Sequence, residues 1–380
     1  MKKKILIISD SFRTGGIQSS LKTFLKYLSG DFDIEVFLFN HDGFESANLN
    51  KNIKVTFGSK ILQAVSCTSD YAKEQGLSTY ILRKIFAFFC LIFSSHVMYK
   101  IIFLFEKKIK NIDTVISYSN NVSDRSVYFG YNLFALQKVE AKQKIAYVHA
   151  DYSTIHSKYC DKEYEKFDKI WFVSEYTKKE FFKYYQGPKK EYDIIYNFCD
   201  FGYKGFQNPY KNKKFHIITV GRLEENKSQI DSIEIAKQLK KRGLDFEWYL
   251  VGDGPDKNKI TKLIAENGLD ENLIVTGYRN DAKNYLKYAD VLVSLSKKET
   301  FGLTVLEALS LGTIAIYKNL SSIREAVGEN GVACNTNNAI VEKISALQTD
   351  KNLYAAEKAK SFIDFYNASI IEKIDRVLEK

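Results

Sequence analysis

Short apolar runs alternate with longer stretches of helical period, and the series runs twice along the chain. Strand-length runs fall at 4–9, 34–39, 53–57, 114–117, 144–148, 169–173 and 192–196. Helical stretches separate most of them, such as 18–28 and 175–184. Residues 197–214 break the pattern with polar residues, glycines and Pro209. The series then restarts, with strands expected at 216–220, 247–251, 273–276, 291–294 and 314–317. Helices are expected at 228–242, 256–267, 282–288, 303–311 and 338–347, and terminal helices over 351–380. Strand–helix alternation predicts a mainly parallel, doubly wound α/β sheet. Two such series predict two Rossmann-like domains facing each other across a cleft, with ligands at the carboxyl ends of their strands.

The length of 380 residues fits two domains. The expected boundaries are 1–197 for the acceptor-side domain, 198–214 for a linker and 215–364 for the second domain. Residues 365–380 are read as a terminal helix. Hydrophobic residues make up 45%, enough for two cores. The five cysteines, Cys67, Cys90, Cys160, Cys199 and Cys334, form no C-x-x-C pair, which points to a reduced, cytoplasmic protein. Four apolar residues after Met1-Lys2-Lys3-Lys4 are too few for a signal peptide.

The net charge is +10, and most of the excess lies in residues 1–200. Such a balance suits nucleic acid, an anionic membrane surface or phosphorylated substrates. No nucleic-acid-binding motif is present, so nucleic acid is not expected as a partner. Segment 80–110 carries an uncharged run at 85–99, short of the ~20 residues that span a bilayer. Arg83 and Lys84 precede that run, and Lys100, Lys107, Lys108 and Lys110 follow it. Two readings stand: a basic amphipathic insertion lying in a membrane interface, or a buried helix pair.

The sharpest chemical signal is Glu299-Thr300-Phe301-Gly302-Leu303-Thr304-Val305-Leu306-Glu307. Gly302 is expected to open a helix, with Glu307 about one and a half turns inside. The N–H groups of Phe301, Gly302 and Leu303 would make an anion site suited to a diphosphate. Glu299 and Glu307 would flank it and accept hydrogen bonds from hydroxyls. Arg222, after Val220-Gly221, and Lys227 make a plausible cationic clamp for the diphosphate. Val251-Gly252-Asp253-Gly254-Pro255 reads as a structural turn, and Gly277-Tyr278 as a rest for a nucleobase. In the first half, Gly15-Gly16 follows the first strand and His149 ends another.

Together these motifs resemble the bacterial retaining glycosyltransferases of the GT-B fold, the "group 1" family (family 4). The resemblance also rests on Ser174, on Asn197-Phe198-Cys199-Asp200 and on Gly312. It implies Glu299 on sugar hydroxyls, Glu307 on the ribose, and Arg222 and Lys227 on the diphosphate. It implies Gly16 near the β-phosphate and His149 near the transferred sugar. Ser174, Asn197, Gly15, Gly221, Gly277, Tyr278, Thr300, Phe301, Gly302 and Leu303 are the further substrate-side residues. A last helix crossing back onto the first domain is also implied. Phe198 and Gln18 depart from the residues common in the family at those positions, Gln18 standing where many members have Glu.

The expected function is therefore transfer of a hexose or N-acetylhexosamine from a nucleotide-sugar donor, UDP-linked by family prior, to a glycan or lipid-linked acceptor. Cell-surface polysaccharide synthesis at the inner face of the membrane fits the basic N-terminal half. No cofactor or metal is expected: the one D-x-D, Asp31-Phe32-Asp33, precedes the second strand, and no Cys/His cluster has ligand spacing. No G-x-x-x-x-G-K-[ST] is present, which excludes a P-loop. An inactive accessory subunit, and a phosphorylase or epimerase on the same fold, are the competing readings.

Overall fold

The computed structural model of the chain describes residues 2–13, 15–28, 30, 32–45, 52–155, 158–200, 205–360 and 366–379. Asp31 of the D-x-D and the expected 364/365 boundary lie outside them. The chain divides into two compact units, Met1–Phe198 with Asn367–Lys380, and Cys199–Tyr366.

The first unit is built on a seven-stranded parallel sheet. Its strands are β1 (Lys4–Ser9), β2 (Asp33–Leu38), β3 (Lys54–Phe57), β4 (Ile109–Ser117), β5 (Val139–Val148), β6 (Lys169–Phe172) and β7 (Glu191–Ile194). Their spatial order is β3-β2-β1-β4-β5-β6-β7. The order reverses between β1 and β4, the point where open sheets of this kind receive ligands. The helices are α1 (Gly16–Leu28), α2 (Lys60–Ser66), α3 (Ser69–Glu74), α4 (Leu77–Phe93), α5 (Ser95–Phe103), α6 (Tyr131–Lys138), α7 (Tyr152–Ile155), α8 (Lys158–Tyr164) and α9 (Glu175–Tyr184). Helix α1 shows how pattern becomes packing. Leu21, Phe24, Leu25 and Leu28 recur at helical spacing and are buried. Each such side chain contributes roughly 1.5–3 kcal/mol on leaving water.

The second unit repeats the plan with six parallel strands. They are β8 (Phe215–Val220), β9 (Phe246–Val251), β10 (Leu273–Gly277), β11 (Val291–Ser294), β12 (Ile314–Lys318) and β13 (Val332–Cys334). The order is β10-β9-β8-β11-β12-β13, with the reversal between β8 and β11. Its helices are α10 (Asp231–Lys241), α11 (Lys257–Glu266), α12 (Ala282–Tyr288), α13 (Leu303–Ser310), α14 (Ser321–Val327), α15 (Asn337–Thr349) and α16 (Lys351–Lys360). Helix α17 (Tyr366–Glu379) follows, and its Ile370, Ile374 and Leu378 are buried. Lys3 donates to the carbonyl of Leu378, within the first unit.

The structure differs from the sequence expectation in several places. The helix expected at 228–242 begins at Asp231, because Ser228 takes the left-handed conformation at φ 51° after a short 3₁₀ turn. The apolar run 85–99 is broken at Ser94, φ 73°, into α4 and α5. Strand β13 has only three residues and went unread. Within 197–214, Phe198 is buried against Phe24 and Tyr27, and Tyr210 stacks on His216 at 4.0 Å.

Candidate active site

In the second unit the loops at the carboxyl ends of β8 and β9 are stitched together by backbone. Gly221 N–H donates to Val251 O, Leu223 N–H to Asp253 O, and Gly252 N–H to Gly277 O, each at 3.0 Å. Gly252 has φ +154°, and a Cβ there would lie 1.9 Å from the carbonyl oxygen of Gly221. Only glycine fits such an approach. The Val251–Pro255 turn is therefore structural, and it fixes where the following side chains start.

Lys227 ends the 3₁₀ turn and Glu299 lies in the loop after β11. They form an ion pair, with Nζ 2.5 Å from Oε1. Ser296 Oγ donates to the same carboxylate oxygen at 2.8 Å, and Ser322 Oγ donates to the Glu299 carbonyl at 2.5 Å. Lys297 N–H donates to Asn226 O, which ties the two loops together. A cavity of about 10 Å³ borders Thr219, Lys227, Gln229, Ser296, Glu299 and Gly302. Gly302, at φ +85°, is the N-cap of α13, and no side chain caps that helix. A Cβ on Gly302 would meet Ile323 at 2.8 Å. The first-turn donors and the positive end of the helix dipole thus lie beside a paired cation and carboxylate.

Arg222 is 70% exposed and pairs with Glu224 at 3.3 Å, so the two cations of the expected clamp, Arg222 and Lys227, are held by different carboxylates. Thr300 and Leu303 are half-buried, and Phe301 is buried. Tyr278 is 54% exposed, after Gly277 at φ +73°. Glu307 is half-buried on α13, and burial pushes its carboxyl above the usual range, with Lys283 pulling it back and Asp200 adding to the rise. Lys283 itself holds Asp200 at 3.1 Å. Lys283 was not singled out from the sequence.

In the first unit the reversal point carries a network that sequence reasoning missed. Asp10 is buried just beyond β1. Gln18 Nε2 donates to both of its oxygens at 2.9 and 3.0 Å, Ser119 Oγ donates to it at 3.1 Å, and Arg13 lies 3.3 Å away. The Arg13 guanidinium also sits 4.7 Å over the ring of Tyr128. Gln18, the departure from the family pattern, is thus the neutral partner of a buried carboxylate. A Cβ on Gly15 would meet Gln18 Oε1 at 2.4 Å, and Gly16 opens α1.

His149 follows β5 and is 4% exposed, between Tyr118 and Tyr147 with ring centroids 4.5 and 4.2 Å away. Both ring nitrogens are buried without a hydrogen-bond partner. Burial pushes its pKa down to about 3, with Asn197 opposing, so the ring is neutral. Asn120 Oδ1 accepts the N–H groups of His149 at 2.7 Å and Ala150 at 3.0 Å. Asn197 is buried and accepts from Ser20 at 2.6 Å. Ser174 is the N-cap of α9, its Oγ accepting from Thr177 N–H at 3.0 Å. Among the described residues no group of three or more His, Cys, Asp or Glu could hold a metal ion.

The fold matches solved structures along the whole chain. TarM of S. aureus, solved with fondaparinux, alpha-GlcNAc-glycerol and UDP, has a TM-score of 0.70 at 15% identity over all of both chains. HepE of Anabaena, solved with UDP and glucose, has a TM-score of 0.69 at 15% identity over 99% of both. The fold is GT-B. Within the second unit, residues 204–364 match the family model Glycosyl transferases group 1. An alpha-monoglucosyldiacylglycerol synthase of Acholeplasma laidlawii is 33% identical over 138 residues, 35% of this chain and 35% of that protein. An N-acetylgalactosaminyltransferase of Campylobacter jejuni, named for a diphospho-undecaprenol substrate, is 26% identical over 182 residues, 46% of this chain and 48% of that protein. These matches span about a third to a half of the curated relatives' length.

Proposed function

We propose that the protein is a retaining, metal-independent glycosyltransferase. It moves a hexose or N-acetylhexosamine from a nucleotide-sugar, UDP-linked for preference, to a hydroxyl of a glycan or lipid-linked acceptor. The Lys227–Glu299 pair beside the uncapped start of α13 carries this reading. A diphosphate competes with Glu299 for the Lys227 ammonium and takes up the helix-start N–H groups. Glu299, released from the cation, then accepts hydrogen bonds from sugar hydroxyls. Arg222, exposed and paired with Glu224, swings to the departing phosphate. Glu307 serves the ribose and Tyr278 the base.

The acceptor hydroxyl attacks the anomeric carbon on the face that the diphosphate leaves. A donor phosphate oxygen takes its proton, so no protein base is needed. Lys227, Arg222 and the α13 donors stabilise the charge on the leaving group. In the first unit we assign the neutral His149 ring, held in place by its burial between Tyr118 and Tyr147, to the transferred sugar.

The product belongs to cell-surface polysaccharide synthesis, with the protein peripheral on the cytoplasmic face of the membrane. No described helix is long and apolar enough to cross a membrane. The relatives named for a diacylglycerol and for a diphospho-undecaprenol support an acceptor at the lipid surface.

A thermal-shift panel of UDP, GDP, ADP and CMP, with magnesium or EDTA, tests the donor site. A ligand at 100 times its Kd stabilises by about 2.7 kcal/mol. One nucleoside diphosphate is expected to raise the melting temperature equally in EDTA. A shift that EDTA abolishes overturns metal independence, and no shift with any of them favours an accessory subunit.

A further inference from the structure

The hairpin of α4 and α5 has its polarity inside out. Arg83 faces the core at 8% exposure and donates its Nε–H to the carbonyl of Cys67 at 2.6 Å. Phe86 and Cys90 of α4 are buried on the same side, as are Tyr99 and Phe103 of α5. The opposite face is apolar too. Leu77, Ile81, Ile85, Phe88 and Ile92 recur at steps of four, four, three and four, and they are 73, 47, 48, 59 and 54% exposed. Leu104 and Phe105, just after α5, are 78 and 65% exposed. A helix that is apolar all round requires cover on both sides, and the fold covers only one.

The charge around this face identifies the cover. No acidic residue occurs from Leu77 to Phe105. The first one, Glu106, is buried and accepts the Ser59 N–H. Lys84, Lys100 and Lys107 are exposed. Lys108 and Lys110, beyond them, lie near Glu140 at 3.9 and 3.6 Å. Apposing this face to that of a second copy would bring lysine against lysine with no acid to answer it. An anionic bilayer accepts both the apolar stripe and the cations.

We propose that the α4–α5 hairpin docks on an anionic phospholipid surface, with α4 lying in the plane of the interface. The stripe from Leu77 to Ile92 enters the acyl boundary, and Lys84, Lys100 and Lys107 meet lipid phosphates. Because its other face belongs to the core, α4 does not span. The hairpin is also no loose anchor. Ser95 N–H donates to Asp124 O at 2.7 Å, Ser95 Oγ to Ser126 O at 2.6 Å and Arg125 to Leu91 O at 2.8 Å. His96 Nδ1 lies 3.2 Å from the buried Glu163, which also accepts from Asn121. The membrane contact thus holds the residues that follow β4 in a fixed orientation. This deepens the peripheral-membrane part of the proposed function and is independent of its donor chemistry.

Flotation with phosphatidylcholine vesicles, with and without phosphatidylglycerol, tests it on the full chain. The wild type is expected to float with the anionic vesicles and to stay at the bottom with phosphatidylcholine alone. Ile85→Glu with Phe88→Glu is expected to lower partition at least about tenfold. Lys84→Ala, Lys100→Ala and Lys107→Ala, all exposed, are expected to cost about fivefold each at low salt. The lysine variants keep the test valid if the double glutamate variant fails to fold. The nucleoside-diphosphate melting shift is the control for the donor site, and every folded variant should keep it. Three results overturn the proposal: no flotation of wild type, equal flotation on neutral vesicles, or a dimer that the glutamate variant dissolves without any lipid binding.

Discussion

The two reversal points hold their charges in opposite ways. In the second unit the charges are accessible and paired in bonds that a ligand can trade: Lys227 with Glu299, Arg222 with Glu224. In the first unit the carboxylate is buried and locked. Asp10 is satisfied by Gln18, Ser119 and Arg13, while His149 is buried between Tyr118 and Tyr147. The same sheet plan thus yields one rim of partly exposed ion pairs and one with a buried, fully partnered carboxylate. On the proposed function the first would take the diphosphate, whose binding is an exchange of charge, and the second the sugar hydroxyls.

The comparison breaks most visibly where backbone alone holds the exchanging rim. Gly252→Ala places a Cβ 1.9 Å from Gly221 O, so a loss above about 4 kcal/mol is expected. Limited proteolysis should then cut the second unit while the first survives, and wild-type resistance would refute the close approach. Next in size, Lys227→Ala is expected to lower turnover by about 10²–10³, as for removal of an oxyanion donor. Its effect on kcat should exceed that on KM, read from nucleoside-diphosphate release. Turnover near wild type would leave Glu299 paired for structural reasons only.

The locked rim is expected to respond to pH instead. The folded pKa of His149, about 3, lies below the usual 6.5. The unfolded chain therefore takes up a proton first, and stability falls as pH drops from about 6.5 to about 3. The slope is roughly 1.4 kcal/mol per pH unit, and it vanishes above that window. Denaturant melts of His149→Phe should lack this acid limb, and an unchanged limb would place the titration elsewhere. The smallest effect is expected for Gln18→Glu, which sets a second carboxylate against Asp10. A loss of about 1–2 kcal/mol at neutral pH is expected, recovered in acid as one of the two protonates. No change in melting temperature would mean that the network tolerates a second charge.

What could be read in advance follows the same division. Strands β1 and β11 and helices α9 and α12 were legible to the residue, because each carries its own period and its own stop. The 299–307 segment stood out in the sequence because its glycine and two carboxylates are neighbours there. Asp10 was not, since Ser119, which binds it, lies 109 residues away. Asn120 was missed for a like reason: it braces His149 across two strands. The early halves of β4 and β5, from Ile109 and Val139, were hidden because their polar residues mask the strand period. Of the hairpin's two readings, the buried one describes the face that carries Arg83, Phe86 and Cys90, and the other face is exposed and apolar.

Helix α13 has one further consequence. It begins at a left-handed glycine with no side chain closing its first turn. A bound diphosphate would occupy the place that a serine or aspartate fills in most helices. The substrate then completes a piece of secondary structure, so the order of this helix becomes a gauge of occupancy. Amide hydrogens over Leu303–Ser310 should exchange more slowly as donor is added, at a rate set by saturation rather than by catalysis.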